Sequence, residues 1–199
     1  MELIWHGHSC FTVRAGGCTV VLDPYSDGSV PGYAPLRLTA NRVLCSHGHH
    51  DHAGTECVTL TPGGADPFTV TVLDCWHDDQ AGALRGPNRI HILQADGMRV
   101  AHFGDLGEAL SPQQLAAIGH LDAAMIPVGG YYTIDAAQAA DLVRALDARC
   151  IIPMHYRLGG ARGYAEIAPL SAFLALLPHR ILPGPEIRLP QQGVVVPTL

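Results

Sequence analysis

Short apolar runs punctuated by Gly, Pro and Asp set the rhythm of this chain. The N-terminal part predicts strands near 2–6, 10–14 and 18–23, with Gly16-Gly17 turning between the last two. Residues 24–41 are rich in Pro, Gly and Ser and lack periodicity, which predicts a long loop. Arg42-Val43-Leu44-Cys45 is short, mostly apolar and β-prone, and reads as a buried strand. Beyond it, Thr61-Pro62-Gly63-Gly64 and Asp66-Pro67 leave room for little more than two strands before residue 77. Strands follow near 69–76, 88–95 and 98–103, and Asp96-Gly97 between the last two is a hairpin signal.

The second half changes period. Ser111 at an N-cap and Pro112 at the first helical position open a helix that runs to Ile118 and ends at Gly119. After a strand near 123–128, Asp135 caps a helix over 136–146, where Ala139, Leu142, Val143 and Leu146 form one apolar stripe. A strand at 149–153, a last helix over roughly 165–177 and one or two short tail strands complete the reading. Early strands followed by mixed strands and helices fit an α/β chain of the α+β type, with two sheets packed face to face and helices outside.

Composition narrows the class. The 199 residues suit one domain spanning 1–199, and 48% hydrophobic against 15% charged residues favours a folded core. No apolar run reaches the ~18 residues of a membrane span. The N-terminus lacks a basic segment followed by an apolar stretch, so no signal peptide is expected and a cytoplasmic location follows. The six cysteines lie mostly in strand-like contexts without Cys-x-x-Cys spacing, as free thiols do. Net charge is −6, all twelve basic residues are arginine, and no basic run appears. A nucleic-acid footprint is therefore not supported. The expected partner is a small molecule, with no membrane and with homo-oligomerisation open.

The chemistry is concentrated at residues 46–52, Ser-His-Gly-His-His-Asp-His. His47, His49, Asp51 and His52 are four metal-competent side chains within six residues, following a buried strand. Imidazole and carboxylate suit zinc and related metals.

The heptad resembles the His-x-His-x-Asp-His signature of the metallo-β-lactamase superfamily, and the later groups this resemblance predicts, His77, Gly104-Asp105 and His155, follow strands in that superfamily's order. Trp5-His6-Gly7-His8-Ser9, Val21-Leu22-Asp23-Pro24, Arg85-Gly86-Pro87-Asn88 and the run from Pro127 to Asp135 resemble a compact branch that includes relatives of ascorbate-6-phosphate lactonase. The resemblance implies a four-layer αββα sandwich and two divalent ions, zinc first, with manganese or iron as alternatives. It implies that His47, His49 and His77 hold one ion, that Asp51, His52 and His155 hold the other, and that Asp105 bridges them. Asp51 and Asp105 are then the catalytic carboxylates around a hydroxide held between the metals. Only twenty-four residues separate His52 from His77, fewer than in larger members.

Around this set, Asp23 and His8 are candidates to support the ligands, His102 another. Asp78 and Asp79 are candidates to protonate a leaving group or to serve only as loop carboxylates. Arg85, Asn88, Tyr132 and Tyr156 are candidate substrate contacts, and Arg85 suits a phosphate or carboxylate. The walls of the pocket are expected from 24–41, 78–88 and 129–133. His50 is expected to face away. The leading function is hydrolysis of a small, anionic ester, lactone or phosphoester. The alternatives are an iron-dependent redox enzyme, such as a sulfur dioxygenase, and a non-catalytic metal-binding protein.

Overall fold

The computed structural model describes residues 1–62 and 65–199, so the turn expected at 61–64 lies partly outside them. In chain order the strands are β1 (Glu2–Gly7), β2 (Cys10–Ala15), β3 (Cys18–Leu22), β4 (Leu38–Ala40) and β5 (Arg42–Leu44). A 3₁₀ turn (Thr55–Cys57) leads into β6 (Val58–Leu60), β7 (Thr69–Trp76), β8 (Pro87–Ala95) and β9 (Met98–His102). Then come α1 (Pro112–Ile118), β10 (Ala123–Pro127), α2 (Ala136–Ala145), β11 (Cys150–Met154) and α3 (Ser171–Leu174). The tail adds β12 (His179–Ile181), β13 (Glu186–Arg188) and β14 (Gly193–Val196).

Two sheets dominate. One has the order β13-β1-β2-β3-β5, the other β12-β14-β11-β10-β9-β8-β7. Leu3, Trp5, Phe11 and Val13 of the first sheet share one core with Ile90, Ile92, Met125 and Ile152 of the second. β10 and β11 are buried at every residue, as strands covered on both faces must be. α1, α2 and α3 are the connections β9–β10, β10–β11 and β11–β12, and each contributes to the same core through Ile118, Ala139 and Phe173. The other face of the first sheet carries Cys10 and Val21, packed against Tyr25, Val30, Leu36 and Val58. That outer layer is built from the 24–41 segment and the small β4–β6 sheet rather than from a helix.

Local signals work as read. Asp96 and Gly97 take φ 53° and 69° in the β8–β9 hairpin, the pair of positive angles a type I′ turn requires. Ser111 with Gln114, and Asp135 with Gln138, form capping boxes at α1 and α2. Three expectations fail. Arg42–Leu44, read as a buried strand, is only half-buried because β5 lies at the edge of its sheet. The helix foreseen over 165–177 reduces to Ser171–Leu174, because Pro169 has no N–H to give a helix passing through it. The 24–41 loop is not wholly irregular; its end pairs with β6 as β4.

Topology brings the chemistry to one rim. β5 runs parallel to β3 with Leu44 opposite Leu22, so Asp23 and the heptad leave adjacent strands at the same end. β7 and β9 both run antiparallel to β8, and β9, β10 and β11 run parallel. The segments that carry His77, Asp105 and His155 therefore leave the second sheet at one edge, where open sheets place ligand sites.

Candidate metal centre and active site

The seven candidate ligands converge. His47, His49 and His77 offer donor atoms that lie within 4.8 Å of one another, and so do Asp51, His52 and His155 together with His8. Asp105 stands between the groups. Its Oδ2 is 3.3 Å from His77 Nε2, 3.9 Å from His47 Nε2 and 3.2 Å from His155 Nε2, while its Oδ1 is 3.1 Å from His52 Nε2. Two donors on one tetrahedral ion, each about 2.0–2.1 Å from it, stand about 3.3 Å apart.

The atoms facing this space want a cation. Nε2 of His47, His52 and His155 and Oδ1 of Asp105 are buried with no hydrogen-bond partner. Burying such groups unpaired costs about 1–3 kcal/mol each. Burial opposes ionisation of Asp105, but His155 and His52 hold its carboxyl well below the usual range. Asp51 is likewise lowered against burial, by its bond to His8 and the charge of His52. His47 falls to about 3, chiefly through burial and then repulsion from His52, and burial lowers His77. His52 goes the other way: burial disfavours its charge, but Asp105 and Asp23 outweigh this and raise it well above 6.5. Ionised carboxylates and imidazole nitrogens around a position that attracts positive charge are a donor set for a divalent first-row ion.

A second ring of contacts aims the ligands. Asp23 accepts the backbone N–H of Ser46 at 2.7 Å and its hydroxyl at 2.5 Å, and takes His52 Nδ1–H at 2.7 Å. With the Ser46 proton committed to Asp23, His47 Nδ1–H donates to Ser46 Oγ at 2.9 Å. Both rings then turn bare Nε2 atoms inward. Asp23, His47 and His52 also group within 4.8 Å, but Asp23 is already satisfied by these protein protons. Asn88, expected to touch substrate, is buried instead; its Oδ1 accepts Asp105 N–H at 3.0 Å and its Nδ2 donates to Phe103 O at 2.9 Å. His102 donates from Nε2 to Ser9 O at 2.8 Å and accepts Gly104 N–H at 3.2 Å, fixing the turn that carries Asp105.

His8 is fully buried in the left-handed region at φ 51°, with Nε2 3.3 Å from Asp51 Oδ2 and its ring 4.2 Å from that of His155. It sits among the second group of ligands, closer than a supporting residue needs to be. Asp78 has both carboxylate oxygens engaged, accepting four backbone N–H groups, from Gln80, Gly82, Leu84 and Arg85. It shapes the 77–86 loop and is not placed to protonate a leaving group. Tyr156 is buried beside Trp5, with ring centroids 5.7 Å apart, and does not line the pocket. His50 is exposed.

Beside the ligands lies a cavity of about 250 Å³ lined by His49, Asp51, His77, Arg85, Tyr132 and Tyr164, with Asp105 at its floor. Arg85 Nη2 donates to Tyr131 O at 3.0 Å, and its guanidinium stands 5.7 Å from the Tyr132 ring. Arg85 makes no ion pair with Asp78 or Asp79. The 78–88 and 129–133 segments are walls, as expected. The 24–41 segment is not; its place is taken by Tyr164, whose hydroxyl reaches Asp51 Oδ2 at 3.2 Å and Ser29 O at 2.9 Å. Tyr164 went unnoticed in the sequence. Its only local signal is the glycine-rich loop, Gly159-Gly160 to Gly163, that follows His155.

A sequence profile of the beta-lactamase superfamily domain matches residues 2–155. A UPF0173 metal-dependent hydrolase of Methanoregula boonei is 31% identical over 189 residues, covering 78% of this chain and 82% of that protein. The chain belongs to the metallo-β-lactamase superfamily, in its UPF0173 metal-dependent hydrolase family. A further member from Thermoplasma acidophilum is 28% identical over 187 residues, covering 78% of this chain and 83% of that one. A solved structure from Thermotoga maritima, assigned as a Zn-dependent hydrolase of the superfamily, superposes with a TM-score of 0.74 at 28% identity. It covers 98% of this chain and 97% of its own. Metallo-β-lactamase topology accounts for the two-sheet sandwich and for ligands gathered from the heptad and three later strand ends. This member of the superfamily is a metal-dependent hydrolase, and the His/Asp cluster described above is able to bind metal.

Proposed function

We propose that this hydrolase cleaves a small anionic ester, lactone or phosphoester using two divalent ions, zinc in the first instance. The observation that carries the reading is the position of Asp105, whose two oxygens lie within 4 Å of nitrogens from both ligand groups. His47, His49 and His77 would hold one ion, Asp51, His52 and His155 the other, and Asp105 both. Such ions supply Lewis acidity and acidify a water toward neutral pH.

The chain's own residues do the rest. Asp51 Oδ2, ionised and flanked by His8 Nε2 and Tyr164 Oη, is the carboxylate that orients the attacking water and passes its proton on. Burial and then the neighbouring Asp51 raise the Tyr164 hydroxyl above its usual range, so it stays protonated and acts as a donor. Arg85 has one nitrogen fixed on Tyr131 O and its remaining donors free, placed to grip an anionic group beside the scissile bond. A cavity of about 250 Å³ fits the reacting part of a small substrate.

Arg85→Ala tests this reading. It should raise KM for phosphorylated or carboxylated esters by about 10–100-fold, the loss of one charge-assisted hydrogen bond of about 1.5–3 kcal/mol. Metal content and turnover of neutral esters should be unchanged. Equal loss on anionic and neutral substrates would make Arg85 structural and remove the anion preference.

A further inference from the structure

His49 and Arg85 border a second cavity as well as the metal-side pocket. It has a volume of about 610 Å³ and runs along the back of the ligand turn, lined among others by Cys45, Gly48, Ala53 and Arg89. His49 and Arg85 line both cavities, which therefore lie side by side. Their chemistry differs. The metal-side cavity carries Asp51 and Asp105; among the described residues no carboxylate lines the other, which instead gathers two arginines in a chain of net charge −6.

Arg89 is placed by the strand itself. Along β8 successive side chains alternate, so Asn88 turns inward to Asp105 while Arg89 turns to the groove beside Pro87. Its ion pair is with Asp74, Nε to Oδ1 at 3.7 Å, and both side chains are more than half exposed. A pair of that kind contributes little and yields to a ligand. Gly48 borders open space, since a Cβ there would meet nothing within 4 Å.

We infer that the substrate carries a second anionic group, a phosphate or a carboxylate, seated in this groove between Arg85 and Arg89, with the scissile bond on the metal side of His49. The inference rests on the hydrolytic reading above and extends it to a substrate with two anions. Two guanidinium forks suit either anion, whereas a monoanionic ester leaves Arg89 unused.

The test is binding, read by isothermal titration of zinc-loaded protein at fixed ionic strength. The probes are ethyl phosphate, 1,3-propanediol bisphosphate and 4-(phosphonooxy)butanoate. Wild type should bind at least one two-anion probe tenfold or more tighter than ethyl phosphate, and which of them gains identifies the second anion. Arg89→Ala should erase that preference while leaving ethyl phosphate within twofold of wild type. Arg85→Ala should weaken all three. Absence of a preference in wild type, or its survival in Arg89→Ala, overturns the groove assignment. An Arg89-dependent preference with ethyl phosphate binding unmoved by Arg85→Ala supports the groove and instead sinks the metal-side role of Arg85.

Discussion

Asp23 is the residue on which two ligands depend. It holds His52 directly and His47 through Ser46, and so selects the tautomer that leaves each Nε2 bare. Asp23→Asn keeps the shape but removes the charge that orders this chain of protons. Zinc affinity, measured by chelator competition, should fall about 10–100-fold; unchanged affinity would show that the rings are held by packing alone. Tyr164→Phe deletes the hydroxyl at Asp51. Metal content should stay constant while kcat drops by about tenfold or more, consistent with a lost hydrogen bond to a charged group. These two residues also mark what was legible. Asp23 could be picked out because a carboxylate at a strand end beside a histidine cluster has an obvious use. Tyr164 could not, because its approach to Asp51 depends on the path of a loop with no periodicity. Asn88 was seen but misjudged: its amide satisfies the backbone around Asp105, a role that only tertiary packing reveals.

Elements hold the ligands by close backbone approach and by buried pairs. Gly104 ends the β9 connection at φ +55°, where a Cβ would stand 2.4 Å from Asn88 Oδ1 and 2.4 Å from Ser46 Cβ. Gly104→Ala must therefore push apart the turns that carry Asp105 and the heptad. A loss of several degrees in Tm together with reduced metal content is expected; normal values for both would show that the turns are free to shift. On β8, His91 is buried, and burial, its largest influence, lowers it to about 4. Between pH 6.5 and 4 the unfolded chain binds this proton and the folded chain does not, so stability is full above 6.5 and falls as pH drops toward 4. The full loss is about 3 kcal/mol. Other histidines titrate in that range too, so the readout is a comparison. His91→Leu should gain Tm relative to wild type as pH falls from 6.5 to 4, and parallel curves would contradict it. Strands, hairpin and capped helices were readable because their signals are local. The helix over 165–177 was overestimated because its apolar content outweighed Pro169, which interrupts it.

At the scale of the molecule, two sheets meet at one rim and each contributes part of the centre. The first brings Asp23 and the heptad from β3 and β5; the second brings His77, Asp105 and His155 from the ends of β7, β9 and β11. Candidate ligands far apart in sequence could be picked out in advance because each follows a short apolar strand; their division between two ions rests on the resemblance alone. The walls were harder to read, since loops without periodicity build them. No helix among the described residues is long and apolar enough to cross a membrane. The central claim is that this rim holds two ions, and anomalous scattering from metal-replete crystals, with elemental analysis of the same protein, tests it most directly. Two ions per chain are predicted, one against His47, His49 and His77, the other against Asp51, His52 and His155, with Asp105 touching both. A single ion at full metal loading, with Asp51 and His155 unligated, would contradict the account.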